Sequence, residues 1–301
     1  MQLLDGKKAS GHIKKILSFQ TLSLQQKKLA SPHLAAILIG NNGASETYVA
    51  SKIKNCSEIG FQSTLIRFDN TVTENTLLKK IHELNTNETV DGILVQLPLP
   101  KHIEEKKVVN AISPMKDVDG FHPENLGNLV WGSPRFISAT PYGIILLLQH
   151  YNIDVKGKHV VVIGRSNIVG RPISILLSSN QSYGNATVTL CHSHTTNIKE
   201  LSLQADILIA ALGKPGFVTA DMVKQNALVI DVGITRVEDA SAKKGFRIKG
   251  DVNFDEVAPK TSYITPVPGG VGLMTIAALL SNTMKAYLQR NNLREDIFNN
   301  D

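Results

Sequence analysis

The sequence predicts an α/β protein with two domains, an N-terminal α/β domain and a C-terminal doubly wound parallel sheet. Short apolar runs bounded by turns alternate with amphipathic stretches along the chain, which is typical of parallel strands connected by helices. The 301 residues can form two separate cores, and contents of 42% hydrophobic and 19% charged residues are those of a globular protein. Disordered and fibrous classes are therefore excluded.

In the first half of the chain, apolar runs predict three strands and the segments between them have helical periodicity. We expect strands at 34–39, 62–68 and 92–95 and helices at 7–28, 47–59 and 74–84. After Pro114, turn residues without periodicity indicate a lid or a domain junction. Thr140 followed by Pro141 predicts the N-cap and first residue of an apolar helix at 142–151.

The second half repeats the alternation and predicts the doubly wound sheet. Strands are expected at 160–163, 187–191, 207–211 and 228–232, and the segment 266–272, PVPGGVG, precedes a long helix. Spacing of i, i+3 and i+4 places one apolar stripe on that helix: Met274, Ala277, Ala278, Ser281, Met284 and Leu288. Periodicity alone does not assign this helix to either domain.

The segment 160–172, VVVIGRSNIVGRP, predicts a strand that turns through glycine into a helix. Backbone N–H groups at such a helix start attract a dinucleotide phosphate, and Gly164 and Gly170 permit its close approach. Ser166 stands where the G-x-G-x-x-G pattern has its middle glycine, so an ordinary strand-to-helix turn is the alternative.

The next predicted strand ends in His192, Ser193 and His194, where an NAD enzyme carries an acidic residue for the ribose. A 2′-phosphate would meet no carboxylate there, and Arg165 with Ser166 can form charge-assisted hydrogen bonds to it. The pocket therefore favours NADP over NAD, unless these are ordinary surface residues.

The net charge of +6 and the pI near 9.2 raise the question of nucleic-acid binding. The lysines occur in pairs within helical patterns, without interleaved aromatic residues, which favours a solvated face that attracts small polyanions. We therefore expect no nucleic-acid partner. Cys56 and Cys191 are too few for a metal site or a disulfide framework. Without a membrane-length apolar run or a secretory signal, the expected location is cytoplasmic, with no membrane partner.

Polar side chains that could perform chemistry lie near the predicted strand ends of the first half. Tyr48 and Lys52 share one helix face with Ser45, and Gln96 follows the strand at 92–95. The helix face could equally be exposed to solvent. The segment 116–120, KDVDG, adds carboxylates in a loop that could also be a turn or a cation site.

Five motifs, in order and at matching separations over nearly the whole chain, resemble the bifunctional methylenetetrahydrofolate dehydrogenase/methenyltetrahydrofolate cyclohydrolase (FolD) family. They are YVASK at 48–52, VQLPLP at 95–100, KDVDG at 116–120, GRSNIVG at 164–170 and PVPGGVG at 266–272. The resemblance implies a folate-binding catalytic domain of residues 1–140 plus 273–301 and a Rossmann-like NADP-binding domain of residues 141–272. It also implies an active site in the interdomain cleft and a homodimer formed through the cofactor domain.

The resemblance also implies roles for individual residues. Lys52 is the expected catalytic lysine, with Gln96 holding its amine. Tyr48 is expected to stack on the folate and Asp119 to anchor the pterin, with further substrate contacts from Ser45, Pro268, Gly269 and Gly272. Arg165, Ser166 and Ser193 would surround the 2′-phosphate, and the other expected cofactor contacts are Gly164, Ile168, Gly170, His192, Gly213, Gly233 and Ile234.

The expected activity is NADP-dependent oxidation of 5,10-methylenetetrahydrofolate, followed by hydrolysis of the methenyl product to 10-formyltetrahydrofolate, in one-carbon metabolism and purine biosynthesis. No metal is expected. One alternative is a shikimate dehydrogenase-like enzyme, and another is a non-catalytic protein that binds NADP or nucleic acid. Leu273 departs from the family pattern, which commonly has a proline there to start the last helix.

Overall fold

The computed structural model describes residues 1–239, 241–242 and 245–298. The chain forms two compact units. The six-stranded unit contains Met1–Gly11 and Thr140–Thr275, and the three-stranded unit contains His12–Ala139 and Ile276–Asp301. This division differs from the domain limits of 1–140 plus 273–301 at the N-terminus, because strand β1, Gln2–Leu3, pairs with a strand of the six-stranded unit. The functional limits stay a prediction.

The three-stranded unit contains a parallel sheet of order β3-β2-β4. Its strands are β2 His33–Ile39, β3 Gln62–Phe68 and β4 Gly92–Val95, and its helices are α2 Gly43–Glu58, α3 Glu74–Thr86, α4 Glu105–Ala111 and α5 Pro123–Trp131. The central strand β2 buries every residue after His33, as expected for a parallel strand covered on both faces. Helix α1 spans Gly6–Gln26; its residues up to Gly11 belong to the six-stranded unit and those from His12 onward belong to the three-stranded unit.

The six-stranded unit contains a parallel sheet of order β1-β11-β8-β7-β5-β6. The strands that follow β1 are β5 His159–Ile163, β6 Thr187–Cys191, β7 Ile207–Ala210, β8 Leu228–Asp231 and β11 Tyr263–Ile264. The helices are α6 Ala139–His150, α7 Gly170–Ser178, α8 Ile198–Ser202 and α9 Phe254–Val257, and β9 Thr235–Glu238 pairs antiparallel with β10 Phe246–Lys249 in a separate hairpin. Because β5 lies between β6 and β7, the chain changes direction there, and ligands bind at the carboxyl ends of strands beside such a switch point.

The predicted α/β class and doubly wound sheet are confirmed, and two local details differ from the sequence analysis. The turn-rich passage after Pro114, for which a lid or a domain junction was expected, ends where the two units divide, but it also contains the helix α5. Its turn residues are helix caps: the His122 ring accepts the Glu124 N–H, and Gly132 ends the helix with φ 86°. Helix α6 begins at Ala139, so Thr140 lies inside it and is not its N-cap.

Helix α10, Val271–Arg290, is buried on more than the predicted stripe. Asn282, Thr283 and Tyr287 are buried as well as the apolar residues of the stripe, whereas Ser281 of the stripe is half-buried. Among the described residues, α10 is the one helix that is long enough and apolar enough to cross a membrane. However, 78% of its most apolar 18-residue segment is buried inside the protein. It begins without proline, and the Leu273 N–H donates to the Gly270 carbonyl at 3.2 Å.

Candidate active site

Lys52 lies on the buried face of α2. The Asn42 side chain begins this helix by accepting the N–H groups of Ala44 and Ser45 at 3.0 and 3.1 Å. The buried residues of the helix are Ser45, Val49, Lys52 and Cys56. Lys52 is only 3% exposed, and a lysine is almost never buried to this degree without a specific partner. The solvent-exposed alternative for this face is therefore wrong.

The ammonium group of Lys52 contacts two of the predicted site residues. Its Nζ donates to Oε1 of Gln96 at 3.2 Å and lies 4.7 Å from the centre of the Tyr48 ring. Gln96 is itself oriented, because its Nε2 donates to the Leu97 carbonyl at 2.7 Å. The structure thus brings Lys52, Gln96 and Tyr48 together at the carboxyl end of β4.

Burial controls the protonation of this cluster. Burial lowers the pKa of Lys52, and the charge of the nearby Asp119 opposes that shift. Burial also raises the pKa of Asp119, against the opposing charge of Lys52. The pKa of the Cys56 thiol is raised to about 12 by burial, so Cys56 remains a neutral thiol. Lys52 is the member of the cluster suited to act as a base once it is neutral.

The side chains of the segment 116–120, KDVDG, have different roles: two hold the local structure, and Asp119 belongs to the Lys52 cluster. Lys116 donates to the carbonyls of Leu84 and Asn87 and so holds the end of α3. Asp117 accepts the N–H of His122 at 2.8 Å and the side-chain amide of Asn125 at 2.9 Å, which holds the start of α5. The electrostatic partners of Asp119 are instead Lys52 and Asp117. Among the residues that the structure describes, no group of three or more His, Cys, Asp or Glu could hold a metal ion.

The loop between β5 and α7 needs glycine at both of its ends. A Cβ on Gly164, whose φ is 124°, would lie 2.1 Å from the Ala211 carbonyl oxygen, and one on Gly170 would lie 1.8 Å from that of Gly164. Ser166 Oγ accepts the N–H groups of Val169 at 3.1 Å and Gly170 at 3.4 Å. The serine side chain thus holds the turn that leads into α7, and its own O–H can donate to a ligand.

Basic and hydroxyl side chains surround this loop. Arg165, Ser166 and Ser193 are exposed, and the pKa of His192 is lowered by partial burial and by the charges of Arg165 and His194. The His194 N–H donates to Nδ1 of His192 at 3.2 Å, which favours a neutral His192 ring. The positive charge of Arg165 therefore lies beside the loop where the sequence predicts that the 2′-phosphate binds.

The remaining predicted residues lie in loops of the six-stranded unit. Gly213 follows β7, whereas Gly233 and the 54% exposed Ile234 follow β8. Gly272 lies beside Ile234, since a Cβ on it would be 2.8 Å from Cδ1 of that isoleucine. Pro268 and Gly269 precede α10. Two buried acids beneath these loops, Asp231 and Asp251, were not predicted from the sequence. The one sequence feature that could have indicated them is an acidic residue next to an apolar run.

Residues 4–119 match the catalytic domain of tetrahydrofolate dehydrogenase/cyclohydrolase, and residues 138–291 match the NAD(P)-binding domain of the same proteins. The chain belongs to the tetrahydrofolate dehydrogenase/cyclohydrolase family. This assignment confirms the resemblance found in the sequence and excludes the shikimate dehydrogenase-like alternative.

Relatives match the chain over nearly its full length. The bifunctional protein FolD of Porphyromonas gingivalis is 60% identical over 285 residues, covering 95% of this chain and 96% of the relative. The crystal structure of FolD from Campylobacter jejuni is 47% identical, with a TM-score of 0.89 and coverage of 96% and 99%. The Trypanosoma brucei FolD structure, complexed with NADP and an inhibitor, is 37% identical, with a TM-score of 0.89 and coverage of 95% and 96%.

Proposed function

We propose that this enzyme oxidises 5,10-methylenetetrahydrofolate with NADP and hydrolyses the resulting 5,10-methenyltetrahydrofolate to 10-formyltetrahydrofolate. The observation that carries the proposal is the buried amine of Lys52, held by the neutral amide of Gln96, in a member of this enzyme family. The Trypanosoma brucei relative, which binds NADP, supports the choice of cofactor.

The oxidation step requires alignment more than acid–base chemistry. Hydride leaves a methylene carbon between two nitrogens, and both nitrogens share the positive charge that remains. NADP supplies the hydride acceptor at nicotinamide C4, so the protein must hold donor and acceptor carbons at the correct distance and angle. We assign substrate positioning to Tyr48, whose ring lies beside Lys52, and to Asp119, whose carboxylate fits the adjacent donors of an aminopyrimidine edge. Further proposed substrate contacts are Ser45, Pro268, Gly269 and Gly272.

The hydrolysis step requires proton transfers. Water must lose a proton as it adds to the methenyl carbon. As the adduct collapses, the bond from this carbon to one ring nitrogen breaks, that nitrogen gains a proton, and the hydroxyl of the adduct releases its own proton to solvent to leave the formyl carbonyl. Neutral Lys52 accepts the proton of the attacking water, and its ammonium form then donates a proton to the leaving nitrogen. Burial already lowers the pKa of Lys52, and a cationic substrate beside the amine lowers this pKa further. Gln96 orients the amine without the charge that would stabilise its ammonium form.

The preference for NADP follows from the charge of the proposed phosphate site. Arg165 carries a permanent positive charge, and the exposed hydroxyls of Ser166 and Ser193 can donate to phosphate oxygens. The segment 192–195, HSHT, has no acidic residue that would repel the 2′-phosphate. The other residues proposed to contact the cofactor are Gly164, Ile168, Gly170, His192, Gly213, Gly233 and Ile234.

One spectrophotometric experiment tests both activities. Methylenetetrahydrofolate is mixed with the enzyme and either NADP or NAD, and the absorbances of reduced cofactor and of methenyltetrahydrofolate are followed together. We expect reduced cofactor to form rapidly with NADP, and added methenyltetrahydrofolate to disappear faster than in buffer. An enzyme that reduces neither cofactor, or that leaves methenyltetrahydrofolate to its uncatalysed decay, would refute the corresponding activity.

We further propose a cytoplasmic homodimer that forms through the six-stranded unit and supplies formyl groups for purine biosynthesis. The hairpin of β9 and β10 supports the dimer, because an isolated two-stranded ribbon is marginally stable in water and gains from a partner surface. Sedimentation at micromolar protein concentration should give twice the chain mass of 32.8 kDa. A sedimenting species of single-chain mass would contradict the dimer.

A further inference from the structure

Asp251 is fully buried beneath the loop that follows β7. Its Oδ2 accepts the backbone N–H of Leu212 at 2.6 Å and that of Gly213 at 2.9 Å. Both donors lie just past the carboxyl end of β7, where ligands of doubly wound sheets bind. The conformation of this loop therefore depends on one carboxylate oxygen supplied from nearly forty residues further along the chain.

Asp231 ends β8 and makes the corresponding contacts with the next loop. Its Oδ1 accepts the N–H of Gly233 at 2.9 Å and that of Asp251 at 2.8 Å, and its Oδ2 accepts the N–H of Val252 at 3.0 Å. The two acids thus form a chain of hydrogen bonds that joins the loop after β7, the loop after β8 and the segment 250–252. We name this set of contacts the carboxylate clasp.

The loop after β8 also packs directly on the clasp. A Cβ on Gly233 would lie 2.4 Å from the backbone nitrogen of Asp251 and 2.5 Å from its Oδ1, distances that no real Cβ atom adopts. Glycine at 233 therefore permits the close approach of this loop to Asp251. The residue after it, Ile234, projects 54% exposed from the same loop.

Stability alone does not explain two acids at this position. Burial and the adjacent Asp251 raise the pKa of Asp231 to about 6, so Asp231 is still mainly ionised at pH 7 but its ionised form costs the fold stability. Oδ1 of Asp251 is buried and has no hydrogen-bond partner in the described part of the chain. An unsatisfied buried acceptor costs free energy, and such costs are retained at sites where geometry matters for function.

We propose that Asp231 and Asp251 are positioning residues that hold the loops after β7 and β8 in the conformation that binds the nicotinamide cofactor. Charge-assisted hydrogen bonds from backbone N–H groups are stronger than neutral ones, so two carboxylates fix these loops more firmly than amides would. The inference rests on the proposed function, because Gly213, Gly233 and Ile234 are proposed there as cofactor contacts.

The test compares Asp251→Asn and Asp231→Asn with the matched control Asp206→Asn. Asp206 also accepts a backbone N–H, that of His159 at 2.9 Å, but at the start of β5, away from the glycine loops. We expect the KM for NADP to rise about tenfold or more in both clasp variants, since each loses charge-assisted hydrogen bonds to the loops. The KM for the folate substrate and the rate of methenyltetrahydrofolate hydrolysis should stay within about twofold of wild type, because none of the residues proposed to contact the folate or to transfer protons belongs to these two loops. The control should leave all three quantities within the same limits.

A purely structural role predicts a different result. In that case hydrolysis and oxidation would fall together, in proportion to the folded fraction measured by thermal melting, and the proposal would be overturned. An unchanged KM for NADP in both clasp variants would also overturn it. If Asp251→Asn does not fold, Asp231→Asn alone provides the test, because Asp231 accepts the Gly233 N–H directly and its loss should raise the KM for NADP by the same factor. A wild-type enzyme that fails to reduce NADP would instead refute the proposed function itself.

Discussion

The Nζ atom of Lys52 lies 3.2 Å from Oε1 of Gln96, so a buried amine is held by an uncharged acceptor. A carboxylate at the same place would stabilise the ammonium form and raise the pKa of Lys52. The amide leaves burial as the largest influence on that pKa, in the direction that frees a neutral amine. The pairing therefore combines fixed geometry with basicity.

Removing the amine should abolish hydrolysis. We expect Lys52→Ala to lower the rate of methenyltetrahydrofolate hydrolysis by about 10²–10⁴-fold, the usual contribution of general acid–base catalysis. The dehydrogenase rate should fall less, because hydride transfer depends on alignment. The matched control is Lys54→Ala on the same helix, whose side chain is 77% exposed. Hydrolysis at the wild-type rate in Lys52→Ala would disprove the catalytic assignment.

Replacing Gln96 by glutamate should move the pH dependence of hydrolysis. In Gln96→Glu, a carboxylate next to Nζ raises the pKa of Lys52, so a smaller fraction of the amine is neutral at pH 7. We expect slower hydrolysis at neutral pH and a rising limb of the pH–rate profile that shifts to higher pH. The profile should be measured between pH 6 and 10 beside Gln96→Asn, which stays uncharged. A limb at the same pH in all three enzymes would argue against Lys52 as the titrating base.

The sequence predicted the parts of the site that depend on local periodicity. Four-residue spacing placed Tyr48 and Lys52 on one side of α2, and Gln96 follows a recognisable strand. Once the strands form a parallel sheet, the end of β4 brings Gln96 next to Lys52. Helix α5 was missed because its proline and glycine cap a helix, which local turn propensity alone does not distinguish from a loop. Asp231 and Asp251 were missed for a different reason. Four of their hydrogen bonds join a carboxylate to a backbone N–H that lies 20 to 39 residues away in the chain, and no spacing rule connects such positions.

Arg165 should determine discrimination between the two nicotinamide cofactors. We expect Arg165→Ala to weaken NADP binding about 10–100-fold, the range for loss of a charged hydrogen-bond partner, and to leave NAD binding nearly unchanged. Lys199→Ala controls for net charge, since Lys199 lies in the same unit but pairs with Asp221 at 2.5 Å. Dissociation constants for both cofactors can be measured by titration calorimetry. Equal losses for NADP and NAD would contradict the proposed phosphate contact.

Asp231 should make the fold more stable as the pH falls from neutral. Its pKa is raised from 3.8 to about 6, so its contribution to stability is fully present below pH 3.8 and is lost as the pH rises through 6. The shift corresponds to about 3 kcal/mol. Asp231→Asn does not titrate, so the melting temperature of wild type should rise relative to that of the variant between pH 7 and pH 5. A difference that stays constant across this range would show that Asp231 does not titrate there.

Arg290 should stabilise the three-stranded unit by pairing with a buried acid. Its Nε lies 2.6 Å from Oδ1 of Asp91, which is 1% exposed and also accepts the His33 N–H at 2.8 Å. Burial raises the pKa of Asp91, so removal of the arginine leaves an unpaired carboxylate in a site that already disfavours it. We expect Arg290→Ala to lower the free energy of unfolding in urea by about 2–4 kcal/mol.

The control for this prediction is Arg135→Ala, which breaks an ion pair with the half-exposed Glu124 and should cost less than about 1 kcal/mol. Adding Asp91→Asn to Arg290→Ala should recover part of the lost stability, because the double variant no longer buries an uncompensated charge. If the double variant is less stable than Arg290→Ala by the full cost of the single Asp91→Asn change, the two side chains act independently. In that case the loss in Arg290→Ala reflects packing along α10 and not the ion pair.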